Sequence, residues 1–344
     1  MTVDLGAVRA NWRLLKDRHA KKSIAAVVKA NAYGLGVEAV SRALWDEGCR
    51  EFFVATLEEG IELRGILPDA AIAVFSGVFA GEEKEYAAHR LVPVINDAGQ
   101  LAAASGQRSV ILHIDTGITR LGLSESEAKK LSADWPLITG RCRLIMSHLA
   151  CSSEPAHPKN AEQLARFRQT LARFPGARAS VCNSAGLFLP PEFHFDLGRP
   201  GCALYGINPT PGKNPMQHVA TLSAPILQIR TLDRDETVGY GATCQVKKGS
   251  RIAILALGYA DGYFRSQSNK GAAFINGRKV PIIGRVSMDM IALDVSAAAG
   301  VTPDMRAEFI NAEQTVDDVA GQCGTIGYEI FTRIGERVKR VYHS

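Results

Sequence analysis

Several features that mark other classes of protein are missing from this sequence of 344 residues. No apolar run approaches the ~20 residues that a transmembrane helix needs, and no charged-then-apolar secretion signal opens the chain. Lysine and arginine (40) only slightly exceed aspartate and glutamate (35), and they form no dense cluster. The charge pattern therefore argues against a nucleic-acid surface, while the net charge of +5 suits a small anion such as a phosphate or a carboxylate.

Cysteines are scattered along the chain rather than grouped. There are seven of them, and none lies within four residues of another. This spacing predicts neither a zinc site nor a redox pair, and His148 with Cys151 lacks a third metal ligand. Reduced thiols are typical of the cytoplasm. We therefore expect a soluble cytoplasmic protein that binds no metal.

Residues 1–216 alternate short apolar segments with amphipathic ones. The predicted strands cover residues 24–28, 52–55, 72–75, 92–95, 110–114, 144–147, 180–182 and 195–197. Eight strands separated by helical segments predict a (β/α)8 TIM barrel. A doubly wound sheet is the alternative, but no G-x-G-x-x-G follows any of these strands.

Residues 217–344 have a different pattern, in which strands dominate. The predicted strands cover residues 226–232, 251–257, 272–275 and 280–283, and one helix is expected at 316–323. Asn276-Gly277 stands between two of these strands, which predicts a type I′ hairpin. We therefore expect a second, mostly antiparallel β-domain, joined to the barrel through the Pro/Gly-rich residues 208–215.

Lys29 is the residue with the clearest chemical meaning. It follows the apolar residues 24–28, which have the character of a strand buried on both faces. Desolvation at the end of such a strand lowers the pKa of a lysine toward that of a free amine. A free amine on a rigid support can attack an aldehyde, and pyridoxal phosphate is the usual such aldehyde. A lysine that extends into solvent from a strand end is the alternative.

Polar groups also follow four other predicted strands. They are Arg120 after the fifth, His148 after the sixth, Asn183-Ser184 after the seventh, and Arg199 with Gly201 after the eighth. Active sites in barrels lie where strands end, so these groups are expected to converge. Ser184, Gly201 and Cys202 form turns of small residues that can offer backbone N–H groups to a phosphate. Taken singly, each residue also has a structural explanation, such as a helix cap at Asn183.

At these residues the chain resembles the alanine racemase family of barrel-type pyridoxal phosphate enzymes. The motifs occur in the family's order: AVVKANAYGLG, DTGITRLG, MSHLA, NSAG, GRPGCALYG, VGYGATC, LGYADGYFR, GRVSMDM and TIGYEI. The resemblance implies a homodimer in which the β-domain of one subunit closes the barrel mouth of the other. It also implies that Lys29 carries the cofactor and acts on the D-face of the substrate, while Tyr240 of the other subunit acts on the L-face. A strand aromatic packed in the β-domain is the alternative for Tyr240.

The resemblance assigns further roles. A tyrosine needs a cationic neighbour to ionise near neutral pH, and His148, backed by Arg199, is the expected neighbour of Tyr240. Arg199 is expected at the pyridine nitrogen, where a group that only donates leaves the ring unprotonated and disfavours transamination. Arg120 and the Met288 N–H are expected to bind the substrate carboxylate. The rest of the cofactor site is expected to comprise Tyr33, His148, Asn183, Ser184, Gly201, Cys202 and Tyr328.

Tyr259 and Tyr328 are expected to keep the pocket small, which favours a methyl side chain. Size alone discriminates by only about 1–3 kcal/mol per methylene. A broader racemase of small amino acids such as serine therefore stays open. A barrel-type decarboxylase is a more distant alternative, because it would place a carboxylate rather than Arg199 at the ring. It is also open whether the activity supplies D-alanine for cell-wall synthesis or serves the catabolism of alanine.

Three departures from the family pattern carry expectations of their own. His113 stands where many members have a carbamylated lysine, so Arg120 is expected to be positioned differently, by His113 or by an anion. Ser180 replaces a histidine that often supports Arg199. The first motif begins at Val3, so the strand that the N-terminus usually adds to the β-domain is expected to be trimmed.

Overall fold

The structure, a computed structural model, describes all 344 residues and divides into two compact units. The strand unit comprises Met1–Gly6, Tyr33–Leu35 and His218–Ser344. The barrel unit comprises Ala7–Ala32 and Gly36–Gln217. The chain begins with strand β1 (Thr2–Asp4), which is followed directly by helix α1 (Leu5–Arg18).

The barrel unit contains seven parallel strands in sequential order. They are β2 (Ala26–Val27), β3 (Glu51–Val54), β4 (Ala71–Val74), β5 (Val92–Ile95), β6 (Val110–His113), β7 (Cys142–Met146) and β8 (Ala179–Ser180). The helices after α1 are α2 (Val37–Asp46), α3 (Leu57–Ile66), α4 (Glu83–Ala88), α5 (Ala98–Ala103), α6 (Glu125–Ala133), α7 (Trp135–Ile138) and α8 (Pro158–Leu171). Every residue of β5 and β6 is buried, as expected for parallel strands covered on both faces.

The predicted eighth strand at residues 195–197 is wrong. Phe195 has φ 48, a left-handed conformation that interrupts an extended segment. The barrel nevertheless closes just beyond it, where Gly198 forms a parallel bridge with Ile24. The N–H of Val27 also donates to the Pro200 carbonyl (2.9 Å), and the N–H of Arg199 donates to the Cys182 carbonyl (2.8 Å). The segment thus bonds to both neighbouring strands without being a regular strand itself.

The strand unit is a closed ring of six antiparallel strands. The long strand β9 (Ala220–Thr231) pairs with two other strands of the ring, one on each side, and these pairings close the ring. Its partners in the ring are β12 (Arg251–Leu255), β13 (Ala272–Ile275), β14 (Arg278–Ile283), β15 (Ile291–Asp294) and β16 (Arg306–Ile310). A separate hairpin joins β10 (Glu236–Val238) to β11 (Cys244–Val246), and the last elements are α9 (Val316–Cys323), α10 (Gly327–Arg333) and β17 (Val341–His343).

Two sequence predictions for this unit are confirmed. Asn276 (φ 49) and Gly277 (φ 73) join β13 to β14 in a tight hairpin, and the helix at 316–323 has the predicted bounds. The N-terminal strand, which was expected to be trimmed, is the short β1. Residues Thr2 and Val3 pair with β9, and β1 also pairs with β17, so the strand is present although short. None of the helices has the length and apolarity needed to cross a membrane.

Candidate active site

Lys29 is followed by one turn of left-handed helix. Residues Ala30, Asn31, Ala32 and Tyr33 have φ between 52 and 55, a conformation that costs non-glycine residues roughly 1–2 kcal/mol each. We call residues 30–33 the lysine turn. The N–H of Ala32 donates to the Val28 carbonyl (2.9 Å), so the turn starts directly from the barrel strand. The backbone around Lys29 is therefore strained and must be held by its surroundings.

The Lys29 amine lies in a partly buried, positively charged environment. Its pKa is lowered by burial first and by the charge of Arg120 second, while Glu59 opposes the shift. The ammonium also lies 5.9 Å from the centre of the Phe75 ring. The free amine is thus more accessible near neutral pH than it would be at a surface lysine, which suits a nucleophile.

Arg199 is a buried cation without a carboxylate partner. Only 3% of its surface is exposed. Its guanidinium donates to the Ser147 carbonyl (2.6 Å) and to Ser180 Oγ, and burial lowers its pKa to about 10. Ser180 thus contacts Arg199 and donates a hydrogen bond to the Leu197 carbonyl. A buried charge of this kind is costly unless a ligand supplies an acceptor.

His148 and His113 are held neutral in the same region. Burial lowers the pKa of His148 to about 3, and the charges of Arg199 and Arg120 act in the same direction. Burial, followed by the same two arginines, lowers the pKa of His113 to about 4. The low pKa of His148 counts against its predicted role as the cationic neighbour of Tyr240, because burial first and the nearby cations second disfavour the imidazolium.

The loop that carries Arg120 is shaped by Asp115. One carboxylate oxygen of Asp115 accepts from the N–H groups of Gly117 (2.8 Å), Ile118 (3.1 Å) and Thr119 (3.1 Å). Arg120 follows at an exposed position. Because its charge acts on Lys29, His113 and His148, it belongs to the same electrostatic cluster.

A second group of residues gathers backbone donors around Ser184. Its buried hydroxyl accepts from the N–H groups of Gly201 (2.9 Å) and Ala203 (3.2 Å). The Asn183 side chain accepts from the Gly186 N–H (2.8 Å) and from the Ser152 hydroxyl (2.9 Å). Cys202 begins a short 3₁₀ turn at this point. These bonds tie the turn at residues 201–203 to the end of the seventh barrel strand, where the motif of small residues was expected.

The candidate residues of the strand unit are far more exposed. Tyr240 is 73% exposed and lies between Gly239 (φ 74) and Gly241 (φ 75), which bend the chain sharply. Met288, Tyr259 and Tyr328 are 53%, 43% and 40% exposed. The Tyr328 ring packs edge-on against Tyr33, with 6.3 Å between the ring centres. The structure thus brings Tyr328 and Tyr33 together, while Tyr240 contacts neither.

Comparison with known proteins covers almost the whole chain. The alanine racemase N-terminal domain family matches residues 3–209, and the C-terminal domain family matches residues 219–342. The alanine racemase of Rhodospirillum rubrum is 46% identical over 99% of this chain and 95% of its own length, and that of Rhizobium meliloti is 44% identical over 99% and 96%. The chain belongs to the alanine racemase family.

Solved structures of alanine racemases have the same fold. The Bartonella henselae enzyme with covalently bound pyridoxal phosphate superposes with a TM-score of 0.92 at 38% identity, over 99% of this chain and 98% of its own. The Pseudomonas aeruginosa biosynthetic enzyme gives 0.92 at 36% identity, over 100% and 98%. Members of the family are isomerases that interconvert the enantiomers of alanine and depend on pyridoxal phosphate.

The residues of this alanine racemase family member fit that cofactor. A desolvated amine matches an aldehyde, and a buried arginine without a carboxylate partner matches a ring acceptor. Sequence reasoning missed Glu59 and Ser147, which bind the lysine turn and Arg199. Ser147 stands in the MSHLA motif, but it acts through its backbone carbonyl, which a motif does not reveal. Glu59 stands in none of the motifs, although Thr56 three residues before it signals a capping box.

Proposed function

We propose that this chain interconverts L- and D-alanine by a two-base mechanism, with Lys29 holding pyridoxal phosphate. The full-length family match is the observation that carries the proposal. When bound, the cofactor supplies an electron sink that acidifies the α-proton of the substrate. The task of the chain is then to bind the substrate and to move one proton on each face of its α-carbon.

Two side chains would move these protons. Lys29 would act at the D-face, and the low pKa of its amine supports this role at neutral pH. Tyr240 of the partner subunit would act at the L-face. Because a protonated His148 is disfavoured, Arg120 and Arg199 are the cations that we propose lower the pKa of the phenol.

The other candidate residues would bind and orient the cofactor and the substrate. We assign Arg199 to the pyridine nitrogen, because a guanidinium only donates hydrogen bonds and keeps its own proton. Arg120, with the Met288 N–H, would bind the substrate carboxylate. The phosphate would be held by Tyr33, Ser184, Gly201, Cys202 and Tyr328, with His148 and Asn183 completing the cofactor site.

Pocket size would favour a small side chain. Tyr259 and Tyr328 are aromatic side chains that can narrow the entrance, so alanine is the proposed substrate and serine a slower one. The absence of a carboxylate beside Arg199 argues against a decarboxylase, which would need the ring nitrogen protonated.

We further propose that the chain works as a homodimer in the cytoplasm. Tyr240, Met288, Met290 and Ile326 of the strand unit are each about half or more exposed, and exposed apolar surface is typical of sites of association. A C2 dimer would cover this surface and place Tyr240 against the barrel of the partner. The seven unpaired cysteines suit a reducing compartment.

Subunit mixing tests the activity and the shared site together. Lys29→Ala should lose about 10²- to 10⁴-fold in racemisation rate, and Tyr240→Phe about 10²- to 10³-fold. If the two bases come from different subunits, unfolding and refolding an equal mixture should restore roughly a quarter of wild-type activity, because heterodimers contain one intact site. An inactive mixture that contains heterodimers would show that both residues serve one subunit.

The cofactor attachment is tested independently of activity. Borohydride reduction of the purified protein, followed by peptide mass spectrometry, should locate a pyridoxyl group on Lys29. A label on any other lysine, such as the exposed Lys21 or Lys22, would refute the assignment.

A further inference from the structure

We propose that Glu59 is a positioning residue for Lys29, because its carboxylate joins the end of strand β3 to the lysine turn. The inference depends on the proposed function only for the role of Lys29. Neither Glu59 nor its contacts belong to the cofactor or substrate groups described above.

Glu59 uses its two oxygens for two different segments. Oε1 accepts from the N–H of Ala30, the first residue of the lysine turn (2.7 Å). Oε2 accepts from the N–H of Ala55 (2.6 Å) and more weakly from that of Thr56 (3.4 Å). The Thr56 hydroxyl in turn accepts from the Glu59 N–H (3.4 Å), which completes the capping box at the start of α3. The carboxylate is therefore fixed from its own helix before it reaches the lysine turn.

The lysine turn needs such a contact. Four consecutive non-glycine residues in a left-handed conformation are unfavourable by themselves and relax unless other bonds hold them. The Ala30 N–H is the donor closest to Lys29 on the C-terminal side. The bond to Glu59 therefore sets the direction in which the chain leaves Lys29 and, with it, the direction of the side chain.

A carboxylate suits this position better than an amide. Both oxygens must accept, one from Ala30 and one from Ala55. Glutamine has one accepting oxygen and one NH2 group, so one of the two backbone N–H groups would face another donor. The negative charge has a second effect, because Glu59 is the charge that raises the pKa of Lys29 against burial and Arg120.

The chain offers a matched control at the start of α6. Ser124 and Glu127 form the same type of capping box, and Glu127 Oε2 accepts from both the N–H (2.8 Å) and the hydroxyl (2.6 Å) of Ser124. One oxygen serves both bonds, and no bond from Glu127 reaches the lysine turn. Glutamine can therefore replace Glu127 with its capping bonds intact, but it cannot replace Glu59.

The test compares E59Q with E127Q in the full-length protein. After the cofactor is removed, the rate of pyridoxal phosphate loading onto Lys29 is followed by borohydride trapping as a function of pH. E59Q should load on the order of tenfold more slowly at its plateau, since one charge-assisted bond to the turn is lost. Its pH midpoint should also shift downward, because the pKa of Lys29 falls when the negative charge is removed. E127Q should match wild type in both quantities.

E59D separates position from charge and serves as a second variant should E59Q unfold. It retains the charge but is too short to reach both segments, so we expect slow loading with an unchanged midpoint. Equal loading rates and midpoints in E59Q, E59D and E127Q would overturn the proposal. A wild-type protein that loads Lys29 but does not racemise alanine would refute the proposed function and leave the Glu59 comparison valid.

Discussion

The two units present their candidate residues in opposite ways. In the barrel unit, Arg199, Ser184 and His113 are at least 95% buried, and the charged groups around Lys29 shift one another's pKa values. In the strand unit, Tyr240, Met288, Tyr259 and Tyr328 are 40–73% exposed. Burial fixes the rotamers and charges of the first set before any ligand binds. Tyr240 and Met288, the most exposed of the second set, lack such burial, which supports our proposal that they act in a site shared between two subunits.

This comparison makes Arg199 the residue whose change should have the largest effect. Arg199→Glu puts a negative charge in the barrel interior and removes the donors to Ser147 and Ser180. We expect racemisation to fall by about 10³-fold or more. The pKa of His148 should rise, since Arg199 is the leading charge that lowers it.

Steady-state rates and NMR titration of the histidines measure the two effects. Arg178→Gln is the control, because Arg178 is a more exposed arginine that pairs with Glu51 (3.2 Å). An unchanged His148 titration in Arg199→Glu would contradict the electrostatic coupling that we infer for the barrel unit.

Tyr240→Phe should separate activity from stability. Loss of the phenol should lower racemisation by about 10²- to 10³-fold, the usual contribution of a general base. Because the side chain is 73% exposed, the free energy of unfolding should change by less than about 0.5 kcal/mol. The loss should also be selective, with proton abstraction from L-alanine impaired more than from D-alanine, as measured by α-deuterium isotope effects in each direction. Equal effects in both directions would contradict the two-face assignment.

Acid should destabilise the barrel unit through its buried histidines. His113 has a pKa of about 4 when folded and close to ~6.5 when unfolded. The imidazole stays neutral in the folded protein. The free energy of unfolding is therefore unaffected by His113 above pH ~6.5, and it falls at lower pH as the unfolded state takes up a proton that the folded state does not. The loss should reach about 3 kcal/mol near pH 4. Urea unfolding of wild type and His113→Gln between pH 7.5 and pH 4 would measure this loss. If the free energy of unfolding falls equally with pH in the two proteins, His113 is not its cause.

Much of the fold follows from local sequence patterns. The run Val92–Ile95 predicts a buried strand by composition alone, and Asn276-Gly277 predicts its hairpin because few other residues adopt two positive φ angles. The eighth barrel strand was beyond such reasoning. Residues 195–197 are apolar enough for a strand, but closure depends on backbone bonds from 198–200 to segments that are far away in sequence.

The candidate site was predictable in its residues and less so in its charges. Motif order pointed to Lys29, Arg120, His148 and Arg199, whereas the low pKa of His148 depends on burial first and on cations from other parts of the barrel unit second. A single sequence does not contain that packing, so it could not indicate that an imidazolium is disfavoured there. Glu59 shows the same limit, since its capping-box pattern is visible locally but its bond to Ala30 is a contact between neighbouring strands.

The smallest effect that we predict concerns the short segment Tyr33–Leu35, which belongs to the strand unit although it follows the barrel lysine. Gly34 has φ +83, and a Cβ there would overlap the carbonyl oxygen of Phe331. Its own carbonyl accepts two bonds from the Arg340 guanidinium (2.9 and 3.1 Å).

Gly34→Ala should therefore cost about 1–3 kcal/mol more than Gly48→Ala, because Gly48 has a similar φ of +104 but open space around it. Both variants share the backbone penalty of a left-handed alanine, so their difference isolates the overlap with Phe331. Differential scanning calorimetry of the two proteins would measure it. If the two substitutions cost the same, the carbonyl of Phe331 gives way to the added methyl group and does not require glycine at position 34.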